Sequence, residues 1–213
     1  SLMEKKVKEL VVKHFRNEYK NGDITSGKNR LIFEVAVRFV HNFLAQEKEL
    51  LNDAKNQLKI LATEENLATE LHIEGLDYPI KIHGQVDRVD ELNGVLRIID
   101  YKTGMVSSSD LRVSSFERLR EKEQYKAIQV LMYAYIYTQS NKDYSKQSLQ
   151  AGIYSFKNLH SGFLAVDFSS NYRNPMIAIT AERLDEFIAE IKKYLKEIYT
   201  LQENFMAPAE LKY

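Results

Sequence analysis

The chain has 213 residues, and Lys plus Arg balance Asp plus Glu at 30 each, so its formal charge is zero. That excludes a protein that binds nucleic acid through overall positive charge, but not a local basic groove, because the local field draws a phosphate chain. Cysteine is absent, which excludes disulfides, thiolate zinc sites, iron–sulfur clusters and cysteine nucleophiles. No apolar run approaches the roughly 18 residues of a membrane span, so no membrane partner and a cytoplasmic location are expected.

A hydrophobic content of 44% with only 8 Gly and 3 Pro points to one large domain of long regular elements. Ser1-Leu2 ahead of Met3 reads as a remnant of cloning, so the chain is expected to be a piece of a longer protein.

Residues 3–20 predict a charged helix with Val7, Leu10, Val11 and Phe15 at helical spacing, ended by Asn21-Gly22-Asp23. Residues 29–50 predict a second helix whose apolar stripe is Ile32, Val35, Ala36, Phe39, Val40, Phe43 and Leu44. Residues 52–62 continue it or form a short third helix. The period then changes to two. Residues 66–74 and 78–90 predict strands, and Asn93-Gly94 is a two-residue hairpin signal leading into a strand over 95–102. A loop over 103–110, a helix or ordered loop over 111–123 and a Tyr-rich helix over 124–139 follow. Residues 149–156 and 162–168 predict a second strand pair. Thr180 then caps a helix of about 20 residues, with Leu184, Phe187, Ile188, Ile191, Leu195 and Ile198 on its core face. This order gives an α/β domain around one sheet: residues 1–62 a helical N-terminal part, 63–213 the core.

The chemistry-bearing stretch is Gly84-Gln85-Val86-Asp87-Arg88-Val89-Asp90 and, across the turn, Ile98-Ile99-Asp100-Tyr101-Lys102-Thr103-Gly104. A two-residue turn sets Leu92 opposite Val95, which puts Asp87 opposite Asp100 and Gln85 opposite Lys102. Opposed residues share a face with Cβ atoms about 5 Å apart, and Asp100 and Lys102, two apart, share it too. Two carboxylates that close repel each other unless a cation lies between them. A hard divalent ion, Mg²⁺ or Mn²⁺, resolves the conflict and keeps positions for water and substrate oxygens. Lys102 reads as a point charge that orients the attacking water and stabilises developing negative charge, rather than as a free general base. An Asp-x-Lys taken alone is more often a surface ion pair. Its conjunction with an opposed Asp at the end of a buried apolar strand favours a site, since charge there is costly unless used or paired.

These two blocks, with Gln129-x-x-x-Tyr133 on the following helix, resemble the PD-(D/E)XK nuclease superfamily, and specifically the RecB-like branch attached to helicases and exonucleases of bacterial recombination and repair. The resemblance implies a restriction-endonuclease-like core, a central mixed sheet flanked by helices, and a metal-dependent deoxyribonuclease. It implies Asp87, Asp100 and the Tyr101 backbone carbonyl as metal ligands and Lys102 as the catalytic lysine. Gln129 and Tyr133 would order the lysine or contact the strand. The partners implied are DNA, as a single strand or an end, and a helicase domain or subunit on the same longer polypeptide. A branch whose cysteines hold an iron–sulfur cluster is excluded. The family's early-helix His has only His14 and His41 as counterparts by position, and neither has the usual surroundings. The alternative reading is a catalytically silent nucleic-acid-binding module of the same fold.

Weaker signals complete the pattern. Glu70 reads as a strand-surface residue, with an extra metal ligand as the alternative. Arg112, Arg118, Arg120, Lys122 and Lys126 with Phe116 interleaved would line a DNA channel, or with Glu117, Glu121 and Glu123 make a solvated face. Of Tyr133, Tyr135 and Tyr137, one would face nucleic acid and the others pack. His72, His83 and His160 lack metal-ligand spacing.

Overall fold

A computed structural model describes residues 2–19, 22–119, 124–141, 148–170 and 173–200. Two helices lead, α1 (Leu2–Glu18) and α2 (Gly27–Asn52). A meander of three strands follows, β1 (Leu58–Leu71), β2 (Ile80–Leu92) and β3 (Val95–Lys102). Then come α3 (Tyr125–Ser140), β4 (Leu149–Ser155), the short β5 (Leu164–Ala165) and α4 (Ala181–Thr200). Among the described residues the strands form one sheet in the order β1-β2-β3-β4-β5, in which β3 and β4 alone are parallel. The sheet is mixed because α3 carries the chain over one face between them, as a parallel crossover requires. No described helix is long and apolar enough to cross a membrane.

The β2–β3 hairpin turns on Asn93 (φ 55°) and Gly94 (φ 81°), the left-handed pair that a tight turn demands. Leu92 faces Val95 as expected. Asn93 also accepts the Gln57 N–H at 2.8 Å and donates to Asn56 Oδ1 at 2.9 Å, tying the α2–β1 connection to the turn.

Four expectations need correction. Residues 58–62 are not helical: β1 starts at Leu58 and pairs with β2 from Leu58↔Leu92 onward, with a register shift between Ile60 and Ala62. A five-residue stretch, Leu-Lys-Ile-Leu-Ala, has too little length to declare its period, and pairing with β2 decides it. On α2, Phe33 and Val37 are buried against Val7 and Phe15 of α1, while Val35 is exposed. The helix serves two neighbours, α1 and the sheet side, so its apolar residues spread over more than one stripe. On α4, Leu184, Phe187 and Ile188 are buried and Ile191 and Leu195 pack beside them, but Ile198 lies exposed beyond the edge of the core. The expected strand over 162–168 contracts to Leu164–Ala165 with one bridge, Arg112↔Asp167. Between β3 and α3 the described residues hold two 3-10 turns, Ser108–Leu111 and Phe116–Arg118, where a helix or ordered loop is expected over 111–123.

The main core lies between the sheet and α3 and α4, where Val89, Leu96, Ile98, Leu131, Ile136, Ile153 and Phe187 are fully buried. The opposite face of the hairpin holds charge. Asp90 takes Arg97 in a two-point pair at 2.7 and 2.9 Å, and Arg88 Nη2 approaches Asp90 at 2.7 Å. Arg88 Nη1 donates to Glu47 of α2 at 2.7 Å and to the Tyr101 hydroxyl at 3.2 Å. Arg97 also lies 5.2 Å over the ring of Phe163. Each buried charge is thus paired, which its desolvation requires.

Candidate active site

Strand alternation sorts the charged motif between two faces. Arg88, Asp90, Arg97 and Tyr101 turn towards α2, whose Phe43 meets Tyr101 edge-on at 5.3 Å. Asp87, Asp100 and Lys102 fall on the α3 side. The β2–β3 ladder runs in the expected register but ends at Arg88↔Ile99. One step further, the Asp87 carboxylate, not its main chain, accepts the Tyr101 N–H at 2.7 Å. The pairing of Gln85 with Lys102 is not formed: the strands have parted, and Gln85 pairs with Asn66 of β1 and donates to the Glu64 carbonyl at 3.2 Å. Glu64 lies opposite Asp87 in the β1–β2 register and has φ 54°, a left-handed backbone uncommon for a residue with a side chain. Nothing in the sequence marks that bend.

The consequence for Tyr101 is geometric. In an extended strand the N–H and C=O of one residue point to the same edge. Since the Tyr101 N–H meets Asp87, its carbonyl is directed to that same side, past the end of the ladder.

Asp100 sits at the centre. It is only 4% exposed. Lys102 Nζ lies 3.1 Å from its Oδ1 and 2.9 Å from its Oδ2. Gln129 of α3 bridges the pair, accepting from Lys102 Nζ at 2.9 Å and donating from Nε2 to Asp100 Oδ1 at 3.1 Å. The same amide lies 2.9 Å from the Tyr133 hydroxyl, one helical turn on. Tyr133 reaches that position because Gly84 has no side chain: a Cβ there would stand 2.7 Å from the Tyr133 ring. Glycine in this strand thus serves close approach rather than a turn. Burial raises the Asp100 carboxyl above the usual carboxylate range, Lys102 draws it back, and the Asp87 charge pushes it further up.

This donor set fits a divalent ion. Asp100 Oδ2 is buried and has no hydrogen-bond donor among the described residues beyond its ion-pair contact with Lys102. Asp87 offers a second carboxylate, and a main-chain carbonyl points to the same side. These are the hard oxygen ligands such ions take, with the remaining positions left to water or substrate. The described residues hold no cluster of three or more His, Cys, Asp or Glu that could hold a metal ion.

The other sequence candidates fall outside this cluster. Glu70 is exposed on β1 opposite Lys81. His14 is exposed on α1, His41 is half-buried on α2, and His72, His83 and His160 are exposed. Phe116 is half-buried and packs against Phe168 and Phe187 at 5.9 and 5.8 Å, at the margin of the core. Lys126 pairs with Asp110 at 3.1 Å and Arg112 with Asp167 at 3.4 Å, while Arg120, Glu121, Lys122 and Glu123 lie outside the described residues. Tyr135 and Tyr137 are buried, leaving Tyr133 at the cluster. Glu47 and Arg97, which hold the far face, were missed. Glu47 lies 41 positions from Arg88, and no local spacing links them.

A family model for the PD-(D/E)XK nuclease superfamily matches residues 2–210. The chain belongs to that superfamily. Its mixed five-stranded sheet with flanking helices agrees with the fold, and membership implies nuclease chemistry on a nucleic-acid substrate with divalent metal ions. Among solved structures, the crystal structure of SSO0001 aligns at 13% identity and TM-score 0.31, covering 90% of this chain and 75% of that one. At that score the superposition adds nothing to the family assignment. A comparison with curated proteins gave no significant match.

Proposed function

We propose that this member of the PD-(D/E)XK superfamily is a Mg²⁺- or Mn²⁺-dependent deoxyribonuclease of the RecB-like type, fed a DNA strand by a helicase domain or subunit. The observation that carries the hydrolytic part is the convergence of Asp100, Lys102 and Gln129 within 3.1 Å of one another, on the face that Asp87 also lines. The Asp-Tyr-Lys-Thr-Gly and Gln-x-x-x-Tyr motifs support the branch and, through it, the helicase and the role in recombination and repair. In this reading the sheet with α3 and α4 is the nuclease core, and α1 and α2 are an extension to it.

Asp87, Asp100 and the Tyr101 carbonyl would hold the ion. A divalent ion there supplies Lewis-acid polarisation of the scissile phosphate and lowers the pKa of a bound water. The chain's own residues do the rest. Lys102 places a positive charge beside the carboxylates, where the phosphoryl oxygens gain negative charge. Gln129 accepts from the ammonium and so fixes the direction of its remaining N–H groups. Tyr133 holds Gln129, and Gly84 leaves room for Tyr133.

The test is Mn²⁺-dependent degradation of end-labelled linear and circular single-stranded DNA, beside Lys102→Ala. Cleavage by the wild type with a loss of about 10²–10³ in the variant is the expected result, the usual cost of removing a group that stabilises transition-state charge. Loss of circles would assign endonucleolytic attack, and resistance of circles an end-dependent one. Binding of DNA without cleavage at any Mn²⁺ concentration would favour the silent module.

A further inference from the structure

Resting on the nuclease reading, we propose that Tyr125 is a stacking platform that receives an unpaired base of the strand next to the scissile phosphate. Tyr125, Gln129 and Tyr133 stand at i, i+4 and i+8 on α3, so they form one stripe, with neighbouring Cβ atoms about 5–6 Å apart. The Gln129–Tyr133 hydrogen bond demonstrates that neighbours on this stripe meet. Gln129 is engaged with Asp100 and Lys102, and Tyr133 with Gln129. Tyr125, the third, is 64% exposed, unlike Tyr135 and Tyr137 of the same helix, which are buried in the core.

Its surroundings suit a nucleotide. Met105, in the segment that follows β3, is also exposed, at 62%. Lys126 Nζ lies 5.1 Å from the Tyr125 ring centroid and is held by Asp110 at 3.1 Å. That pair braces the segment after β3 against the start of α3, and it sets a cation over the Tyr125 ring. A planar face beside a cation is the combination by which single strands are bound without sequence preference. A base inside a duplex has both faces covered and cannot use it, so the ligand is an unpaired nucleobase, of single-stranded DNA in the first instance.

The chain has no Trp, so Tyr125→Trp would introduce a single indole emitter at the platform. Its fluorescence is titrated in EDTA, where no cleavage occurs, with oligodeoxythymidine, its ribo counterpart, a duplex and an abasic single strand of equal charge. Stacking predicts quenching by the base-bearing single strands and none by the duplex or the abasic strand. The deoxy and ribo arms report which sugar the platform accepts. In cleavage assays Tyr125→Ala should raise KM for single strands about tenfold with kcat little changed, and Tyr125→Phe, which keeps the ring, should restore it. Equal quenching by base-bearing and abasic strands, or an unchanged KM in Tyr125→Ala, would overturn the platform while leaving the nuclease reading intact. Base-dependent quenching in a protein whose wild type cuts nothing would uphold the platform and remove the nuclease reading.

Discussion

At the scale of single residues, Asp100 carries the sharpest consequence. Its carboxyl is held above the usual range by burial and by Asp87, so its folded-state pKa exceeds its unfolded one. The group's contribution to stability is therefore present below the unfolded value and is lost as pH rises through the folded one. In metal-free protein, Asp100→Asn should raise the melting temperature at pH 7 by a few degrees, with the gap closing towards pH 4. The variant gives up an ion pair with Lys102, but that side chain is 30% exposed and water can replace the partner. Added Mn²⁺ should stabilise the wild type and not the variant. Calorimetric melts across pH, with and without the ion, read both effects. Gly84→Ala makes a separate prediction. The new Cβ displaces the Tyr133 ring, so Gln129 loses its brace; cleavage should fall about tenfold while the circular dichroism spectrum is retained. Asp87, Asp100 and Lys102 were legible in the sequence because a two-residue turn dictates register, whereas Gln129 and Tyr133 were marked only by the family resemblance. The Tyr101 N–H to Asp87 bond was not, because it forms where the ladder stops, and no pattern of side chains announces the end of a ladder.

At the scale of elements, the hairpin is a two-sided device: chemistry under α3, structural charge under α2. The Asp90 carboxylate is fully buried and serves both Arg88 and Arg97. Asp90→Ala leaves two buried guanidinium groups short of a partner and should cost about 3–5 kcal/mol, measured by urea unfolding. Gly152 of β4 gives a packing counterpart. A Cβ there would stand in the backbone of β5, so Gly152→Ala should lower the melting temperature and detach β5, an effect followed by amide exchange at Val166, whose N–H donates to the Ala151 carbonyl. Helices α1 to α4 were readable from apolar period and caps, as with Thr180, whose hydroxyl accepts the Arg183 N–H at 3.3 Å. The first half of β1 was not, since Leu58–Ala62 gains its strand character from pairing with β2, far along the chain. The Glu47–Arg88 link was invisible for the same reason: its partners lie on different elements, and only the fold brings them together.

At the scale of the whole molecule, the two faces of one hairpin divide the labour. Glu47 and Arg88 fasten α2 to the back of the sheet and reach the Tyr101 hydroxyl, while the main chain of the same Tyr101 meets Asp87 at the front. With balanced charge, affinity for a nucleic acid should rest on local charge rather than on the net charge of the chain. The most direct test of the central claim is the rate of single-stranded DNA cleavage measured against Mn²⁺ concentration, for the wild type and for Lys102→Ala. In the proposed mechanism Lys102 acts on charge and not as a ligand. The account therefore predicts similar half-saturating Mn²⁺ for the two proteins and a maximal rate about 10²–10³ lower in the variant. Cleavage by Lys102→Ala at the wild-type rate, or no cleavage by the wild type at any Mn²⁺ concentration, would contradict it.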